Sequence, residues 1–441
     1  MDLVTSRARN RALDRELWAL AIPAFATLVT EPLMVMADAA IVGHVSTVAL
    51  AGLGIAANVL GIVAGLCVFL AYGTTATVAR RFGAGDRRSA MAGGMDGLCL
   101  AGLIGVVVAV VLVLGAPMII GWYPTTSEVA AEATTYLRIT GAALPALLIM
   151  LASTGVLRGL QDTRTPLYVA IGVNLANIAL NLLLVHGLGF GIAGAAIGTA
   201  VAQYAAAGFL CTKVIRGARH VGVRLRFHPG GVLSAARSGF WLMIRTASLQ
   251  VSITTTTVVA TGLGIVALAA HQIINALWML LAMALDAIAI AAQAIIGRHL
   301  GAGSVVLVRR FTRRMLGWGV LAGMLFGATV LFTHELYAGL FTPDLAVQDQ
   351  LDTVLIVVAV VTPISATVFV LDGVLIGAGD ARYLALAGVV AAVAYLPLAL
   401  VVQQRAAGLV WLWVAYGGYM IIRMVTLLVR SRTDAWLRTG A

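Results

Sequence analysis

Two short stretches decide the fold of this chain: "RGLQDTR" at residues 158–164 and "IGAGDAR" at residues 376–382. Their alignment places Asp162 on Asp380, an offset of 218 residues. The same offset aligns Pro145 with Pro363, Gly155 with Gly373, and "FGAG" at 82–85 with "LGAG" at 300–303. A single register without gaps indicates an internal duplication.

The composition indicates a membrane protein. The chain is 61% hydrophobic and only 11% charged, whereas roughly 25% of the residues of a soluble domain are charged. Twelve segments between residues 17 and 430 provide the apolar stretch of about 20 residues that a membrane span needs. Divided by the duplication, they give six spans per half. Because six is even, both halves enter the membrane the same way up.

We therefore predict an all-α integral membrane protein with twelve transmembrane helices in two parallel six-helix repeats. The predicted N-terminal lobe (spans 1 to 6) covers residues 1–215, and the C-terminal lobe (spans 7 to 12) covers residues 232–441. A basic cytoplasmic linker at 216–231 joins them.

The net charge of +11 comes from basic loops that alternate with loops almost free of Lys and Arg. Basic loops stay in the cytoplasm. We expect a multi-pass protein of the cell (inner) membrane with both termini cytoplasmic, a lipid bilayer around it and no nucleic-acid partner. The only lysine, Lys213 in "LCTKVI", lies outside any Walker A motif, and the three cysteines lie far apart, so we predict no metal site.

The first span, "TEPLMVMADAAIVGHV" at 30–45, carries two acids, Glu31 and Asp38. A carboxylate in a bilayer costs several kcal/mol, so an acid there usually has a function. They are seven residues apart and share a helix face. The offset of 218 places Asp38 on Thr256 and Glu31 on Leu249, so neither acid is duplicated. We predict that both acids serve in proton coupling, the alternative being that they merely face a solvated cavity.

Other polar side chains in the spans are candidates for lining the substrate or coupling site. Asn174, Asn177 and Asn181 share one face of span 5, where amides can also serve as helix–helix contacts. In the second half, Asp286 and Asp372 are candidates, although either could form a structural ion pair with Arg245. The set is completed by Gln250 of span 7 and by Met34 of span 1, whose soft side chain could equally be core filling.

These residues resemble a known family. Three stretches resemble sequences of the DinF-like branch of the multidrug and toxic compound extrusion (MATE) family. They are "MADAAIVGHVSTVALAGLGIA" at 36–56, "VLRGLQDTRTPL" at 156–167 and "NIALN" at 177–181. The likeness covers essentially the whole chain. It implies a V-shaped, two-lobed transporter that exports organic compounds by cation-driven antiport.

The resemblance also implies roles for residues. Asp38 matches the coupling acid of the first lobe, and Asn177 and Asn181 match the polar pair near it. The sodium-coupled NorM-like branch uses an acid in the seventh span and an aspartate in the tenth. Asp372 matches the latter, but span 7 here contains no acid, a departure that favours protons.

We therefore expect a monomeric secondary active efflux transporter, not an enzyme. It would exchange small organic compounds, often cationic or amphipathic, for protons by alternating access, with no cofactor. One alternative is a sodium-coupled drug exporter. Another is a lipid-linked precursor flippase, which would need a large cationic cavity, whereas the intramembrane charges here are mainly acidic. An enzyme would need a nucleophile–base set or a metal pair, and no such motif occurs.

Overall fold

The computed structural model describes residues 2–223 and 227–440. Within these residues the chain forms fourteen α-helices and one short π-helix, π1. In chain order they are α1 (Asp2–Gly43), α2 (Thr47–Cys67), α3 (Phe69–Gly83), α4 (Arg87–Ile120), α5 (Ser127–Ala142), α6 (Leu144–Gly159), α7 (Arg164–Asn181), π1 (Leu182–Gly187), α8 (Gly191–His220), α9 (Pro229–Gly262), α10 (Ile265–Gly301), α11 (Val305–Phe341), α12 (Leu345–Gly377), α13 (Ala381–Gln404) and α14 (Leu409–Arg432).

These helices provide the predicted spans. Ten segments of the described chain are long and apolar enough to cross a membrane, and α2 with α3 counts as one of them, as does α7 with π1. The pair α5 and α6, bent by 48° at a break, makes an eleventh. Helix α9 has 34 residues and is also long enough to cross, although it is not among the segments that are apolar enough by composition. Arg245 and the threonine run 254–257 make α9 more polar than the other spans.

The duplication is visible in the backbone. The offset of 218 places α3 on the end of α10, α4 on α11 and α6 on α12, and α6 packs on α3 and α4 as α12 packs on α10 and α11. The turns that follow α6 and α12 also match. Gln161 has φ 68° and its equivalent Gly379 has φ 76°, so both turns use the left-handed region, which is uncommon for a residue such as glutamine.

Matching glycines allow the same close helix contact in both halves. A Cβ atom at Gly155 would lie 3.0 Å from the Cα atom of Ala71, and one at Gly373 would lie 2.7 Å from the Cα atom of Ala289. Ala71 and Ala289 are themselves 218 residues apart. Small residues allow helix backbones to approach closely in membranes, so both halves use one packing solution.

The described chain separates into two compact units. The N-terminal unit consists of Ala26–Gly239, and the C-terminal unit consists of Phe240–Gly440 together with the start of the chain up to Phe25. Two helices, α1 and α9, therefore contribute to both units. The lobe boundaries predicted from the sequence stay a prediction, and residues 224–226 of the predicted linker lie outside the described residues.

Each unit has its own apolar core. The core of the N-terminal unit includes Val42, Ala56, Leu112, Leu137 and Ala195. The core of the C-terminal unit includes Ile274, Leu351, Val358, Leu412 and a group of aromatic side chains around Tyr395 and Tyr419.

Substituting Gly373 by alanine should destabilise the protein by about 1–3 kcal/mol, because the added methyl group would overlap the backbone of α10. Thermal unfolding of the purified protein in detergent would measure the loss. Gly418→Ala is the matched control in the same unit, because a Cβ atom there has no neighbour within 4 Å. Equal melting temperatures for the two variants would contradict this account of the contact.

Candidate functional site

Asp38 lies in the last two turns of α1, and its side chain is buried, with 4% of the residue exposed. Two side chains donate hydrogen bonds to its carboxylate. The amide Nδ2 of Asn181 donates to Oδ1 at 2.7 Å, and the hydroxyl of Thr199 donates to Oδ2 at 3.4 Å. Because an unpaired buried charge is very costly, these donors are what allows an acid at this depth.

A second layer of hydrogen bonds orients the two donors. Asn177 Nδ2 donates to the Thr199 hydroxyl oxygen at 2.8 Å, and Asn181 Nδ2 also reaches Asn177 Oδ1 at 3.3 Å. A hydroxyl has one hydrogen, so Thr199 can accept from Asn177 while it donates to Asp38. The two groups that contact the carboxylate, the Asn181 amide and the Thr199 hydroxyl, both act as donors to it, an arrangement that fits the ionised form of Asp38.

The local structure of α7 and α8 makes this cluster possible. Gly198 lets α8 approach α7, since a side chain there would collide with the amide oxygen of Asn181. Within the described part of the chain, this buried Oδ1 atom has no hydrogen-bond partner. The π-helix π1 begins at Leu182, directly after Asn181. Such π-turns are rare and are frequently found at functional sites.

The other predicted residues of spans 1 and 5 are placed differently. Asn174 Nδ2 donates to the backbone oxygen of Thr30 at 2.6 Å and so ties α7 to α1. Glu31 is exposed, and Met34 is half-buried. The seven residues between Glu31 and Asp38 correspond to about 10 Å along the helix. The structure thus brings Asp38, Asn177 and Asn181 together and leaves Glu31 outside this cluster.

The C-terminal unit holds the remaining predicted residues. Asp372 on α12 is 3% exposed and is bound by two arginines, by Arg245 Nη2 at 2.6 Å and by Arg423 Nη2. The ion pair with Arg245 is the structural alternative that the sequence suggested for this acid. Gln250 on α9 and Asp286 on α10 are half-buried.

The duplication gives the Asp38 cluster a neutral counterpart. The offset of 218 places Asp38 on Thr256 and Asn177 on Tyr395. These two hydroxyl groups are buried and lie 2.6 Å apart. Both units therefore keep a polar contact between their first and fifth spans, but only the N-terminal unit has a titratable carboxylate there.

Sequence reasoning missed Thr199, Tyr136 and Arg423. Thr199 was the only polar side chain in a run of small residues, "GAAIGTA" at 194–200, which was a usable signal for close helix packing. Tyr136 of α5 is buried next to Thr199 and within electrostatic range of Asp38. Arg423 lies in the last span, and from sequence alone a single arginine there could equally lie at the membrane interface.

Comparison with known proteins identifies the family. A family model described as MatE matches the chain twice, at residues 23–183 and 242–401. The chain belongs to the MATE family. The two matches begin 219 residues apart, at 23 and 242, in agreement with the offset of 218 that the sequence repeat gave.

Individual relatives agree with this assignment. The chain is 29% identical to Protein DETOXIFICATION 44, chloroplastic, of Arabidopsis thaliana, over 96% of this chain and 84% of that protein. It is 30% identical to DNA damage-inducible protein F of Escherichia coli, over 83% of this chain and 81% of that protein. The resemblance to the DinF-like branch is thereby confirmed.

The fold agrees as well. The crystal structure of the MATE transporter VcmN from Vibrio cholerae, in its bent form, superposes with a TM-score of 0.88 at 20% identity and covers 97% of this chain and 98% of that one. MATE proteins are multi-pass membrane transporters of small organic compounds, so the predictions of transport rather than enzymatic activity and of a twelve-helix duplicated fold are confirmed.

Replacing Asp372 by asparagine should destabilise this MATE protein by about 3–5 kcal/mol, because two buried guanidinium groups would lose their counter-charge. Denaturant unfolding in detergent, followed by tryptophan fluorescence, measures the change. Asp349→Asn, the same substitution at an exposed position of α12, is the control. If Asp372→Asn were as stable as the control, the ion pairs would not be holding the unit together.

Proposed function

We propose that this protein is a proton-coupled exporter that exchanges small organic compounds, often cationic or amphipathic, for protons by alternating access. It would act as a monomer in the cell (inner) membrane, with both termini in the cytoplasm, and its coupling ion would be H⁺. The observation that carries the proposal is the buried carboxylate of Asp38, held by Asn181 and Thr199 in one unit and replaced by a neutral contact in the other.

Protonation changes what Asp38 can do in this cluster. The ionised carboxylate only accepts hydrogen bonds, and both of its side-chain partners donate to it. A proton turns one carboxyl oxygen into a donor, which opposes the Thr199 hydroxyl or the Asn181 amide. The nearest relief is a rotation of the Asn181 amide, which would offer its unpartnered Oδ1 atom as an acceptor. Proton binding therefore favours a rearrangement where α1, α7 and α8 meet.

Loss of charge also affects a cationic substrate. An ionised acid attracts an organic cation, and a neutral acid does not. Proton binding from outside would thus release the cation and reset the cluster, and proton release to the cytoplasm would restore the attraction. One charge moving through 100 mV supplies about 2.3 kcal/mol, or roughly fifty-fold in concentration for a neutral substrate.

Sodium coupling is the alternative, and the geometry of Asp372 weighs against it. A sodium ion at Asp372 would lie beside the positive charges of Arg245 and Arg423, which already bind one oxygen of this carboxylate and would repel the ion. A lipid-linked precursor flippase would need arginines that present their charge to an anionic substrate. These two arginines instead direct it towards Asp372. We therefore favour proton coupling through Asp38, because it depends only on the hydrogen bonds that this carboxylate already makes.

The test is transport by the purified protein in liposomes. Uptake of a fluorescent organic cation is followed with an imposed pH gradient and, separately, with a sodium gradient. We expect the pH gradient to drive uptake by the wild type, and Asp38→Asn to reduce it to the level of empty liposomes. The variant keeps the size of the side chain and one acceptor oxygen, but it cannot ionise.

Two controls separate coupling from damage to the fold. Thr256→Val alters the equivalent position of the other unit and should keep pH-driven uptake, and Asp349→Asn controls for loss of an acid elsewhere. Gradient-driven uptake by Asp38→Asn at the wild-type rate would refute the coupling role. Uptake driven by sodium alone would refute proton coupling.

A further inference from the structure

An open groove of about 420 Å³ runs between α7 and α8 in the N-terminal unit, and neither the Asp38 cluster nor the transport proposal uses it. Its floor consists of small residues, and two aromatic rings, Tyr168 and Phe209, stand exposed at its walls. The floor is formed by Gly172, Ala176, Ala202, Ala205 and Ala206.

The groove lies on the side of α7 that faces away from the amides. Gly172 and Asn177 are five residues apart, which is about 140° around a helix. Asn177 is fully buried against α8, whereas Gly172 and Ala176 are exposed. The groove lining on α7 contains no charged side chain, so a lipid chain can cover this face without burying a charge.

The length of the groove matches one leaflet. Its lining on α7 extends from Thr165 to Ala176, about 17 Å along the helix. The hydrocarbon core of a bilayer is about 30 Å thick, so the groove covers roughly half of it. Thr165 lies at the end of α7 that carries the basic loops, which places the groove in the cytoplasmic leaflet under the proposed orientation.

Positive charge is concentrated at that end of the groove. Phe209, Lys213 and Arg216 follow one another at spacings of four and three residues on α8, so they share the groove face. Lys213 lines the groove and pairs with Asp162 at 3.1 Å, and Arg216 is exposed one turn further on. Asp162 neutralises only one of these two charges, so the end of the groove keeps a positive charge.

Asp162 is fixed in place and stays ionised. Burial alone would raise its pKa, but hydrogen bonds from Thr165 and Lys213 outweigh this effect and leave the pKa below its usual value. The Thr165 backbone N–H donates to Asp162 at 2.9 Å and the Thr165 hydroxyl at 2.6 Å. Lys213 is therefore held at the mouth of the groove instead of swinging freely in solvent.

We propose that this groove binds an anionic phospholipid of the cytoplasmic leaflet. One acyl chain lies along the small residues between Tyr168 and Phe209. The phosphate group lies at the surface, where Lys213 and Arg216 contact it. Anionic headgroups next to clustered basic side chains are favoured over zwitterionic ones, and aromatic rings at the walls add apolar contact area.

Native mass spectrometry of the full-length protein in detergent tests this directly. The protein is titrated with dioleoyl phosphatidylglycerol and, separately, with dioleoyl phosphatidylcholine, which have the same acyl chains. We expect the first bound phosphatidylglycerol to bind about five-fold tighter or more than phosphatidylcholine, the effect of roughly one surface cation. No transport is measured, so failure of the transport proposal would not affect the outcome.

Variants locate the site. Arg216→Gln should remove most of the preference for phosphatidylglycerol. Arg219→Gln is its matched control, because this exposed arginine on the same helix points about 80° away from Phe209. Ala205→Trp should fill the groove and weaken the binding of both lipids. Gly208→Trp is its control, because Gly208 is exposed on α8 and does not line the groove.

Some outcomes would overturn the proposal. Equal binding of the two lipids by the wild type would show that the basic end does not select a headgroup. An equal loss of preference in Arg216→Gln and Arg219→Gln would show a diffuse charge effect instead of a site. Unchanged binding in Ala205→Trp would show that the lipid sits elsewhere.

Discussion

A bilayer offers no water to polar groups, and this constraint shapes every polar contact described above. The two buried acids of the spans have hydrogen-bonding partners within their own units: Asp38 has Asn181 and Thr199, and Asp372 has Arg245 and Arg423. The two acids satisfy the constraint in different ways. Asp38 is held by neutral donors, whereas Asp372 is held by two guanidinium groups whose charge it balances as part of the scaffold.

The duplication explains how one protein contains both solutions. The helix contacts at Gly155 and Gly373 were kept in both halves because they depend on backbone shape, which neither half could change without losing its packing. Side chains at the contact of the first and fifth spans were free to diverge. One copy has the carboxylate of Asp38, and the other has the hydroxyl pair of Thr256 and Tyr395.

Small residues serve two surfaces of α7 and α8. Gly198 brings the two helices close enough for the amides to meet Asp38, on the buried side. Gly172 and Ala205 leave the open groove on the exposed side. Both features follow from the same small residues. Where the side chains are small, the two helices approach closely on the buried side, and the exposed side is left with an unfilled groove.

The sequence by itself determined the class, the twelve spans, the repeat and the face on which the amides of span 5 lie, because hydropathy, helical periodicity and a fixed offset are local or linear properties. It also singled out Asp38. Only the tertiary structure decided which partners each acid has. Thr199 completes the Asp38 cluster, and Arg423 joins Arg245 on Asp372. These contacts join residues that are 51 to 161 positions apart, and no periodicity in the sequence encodes them.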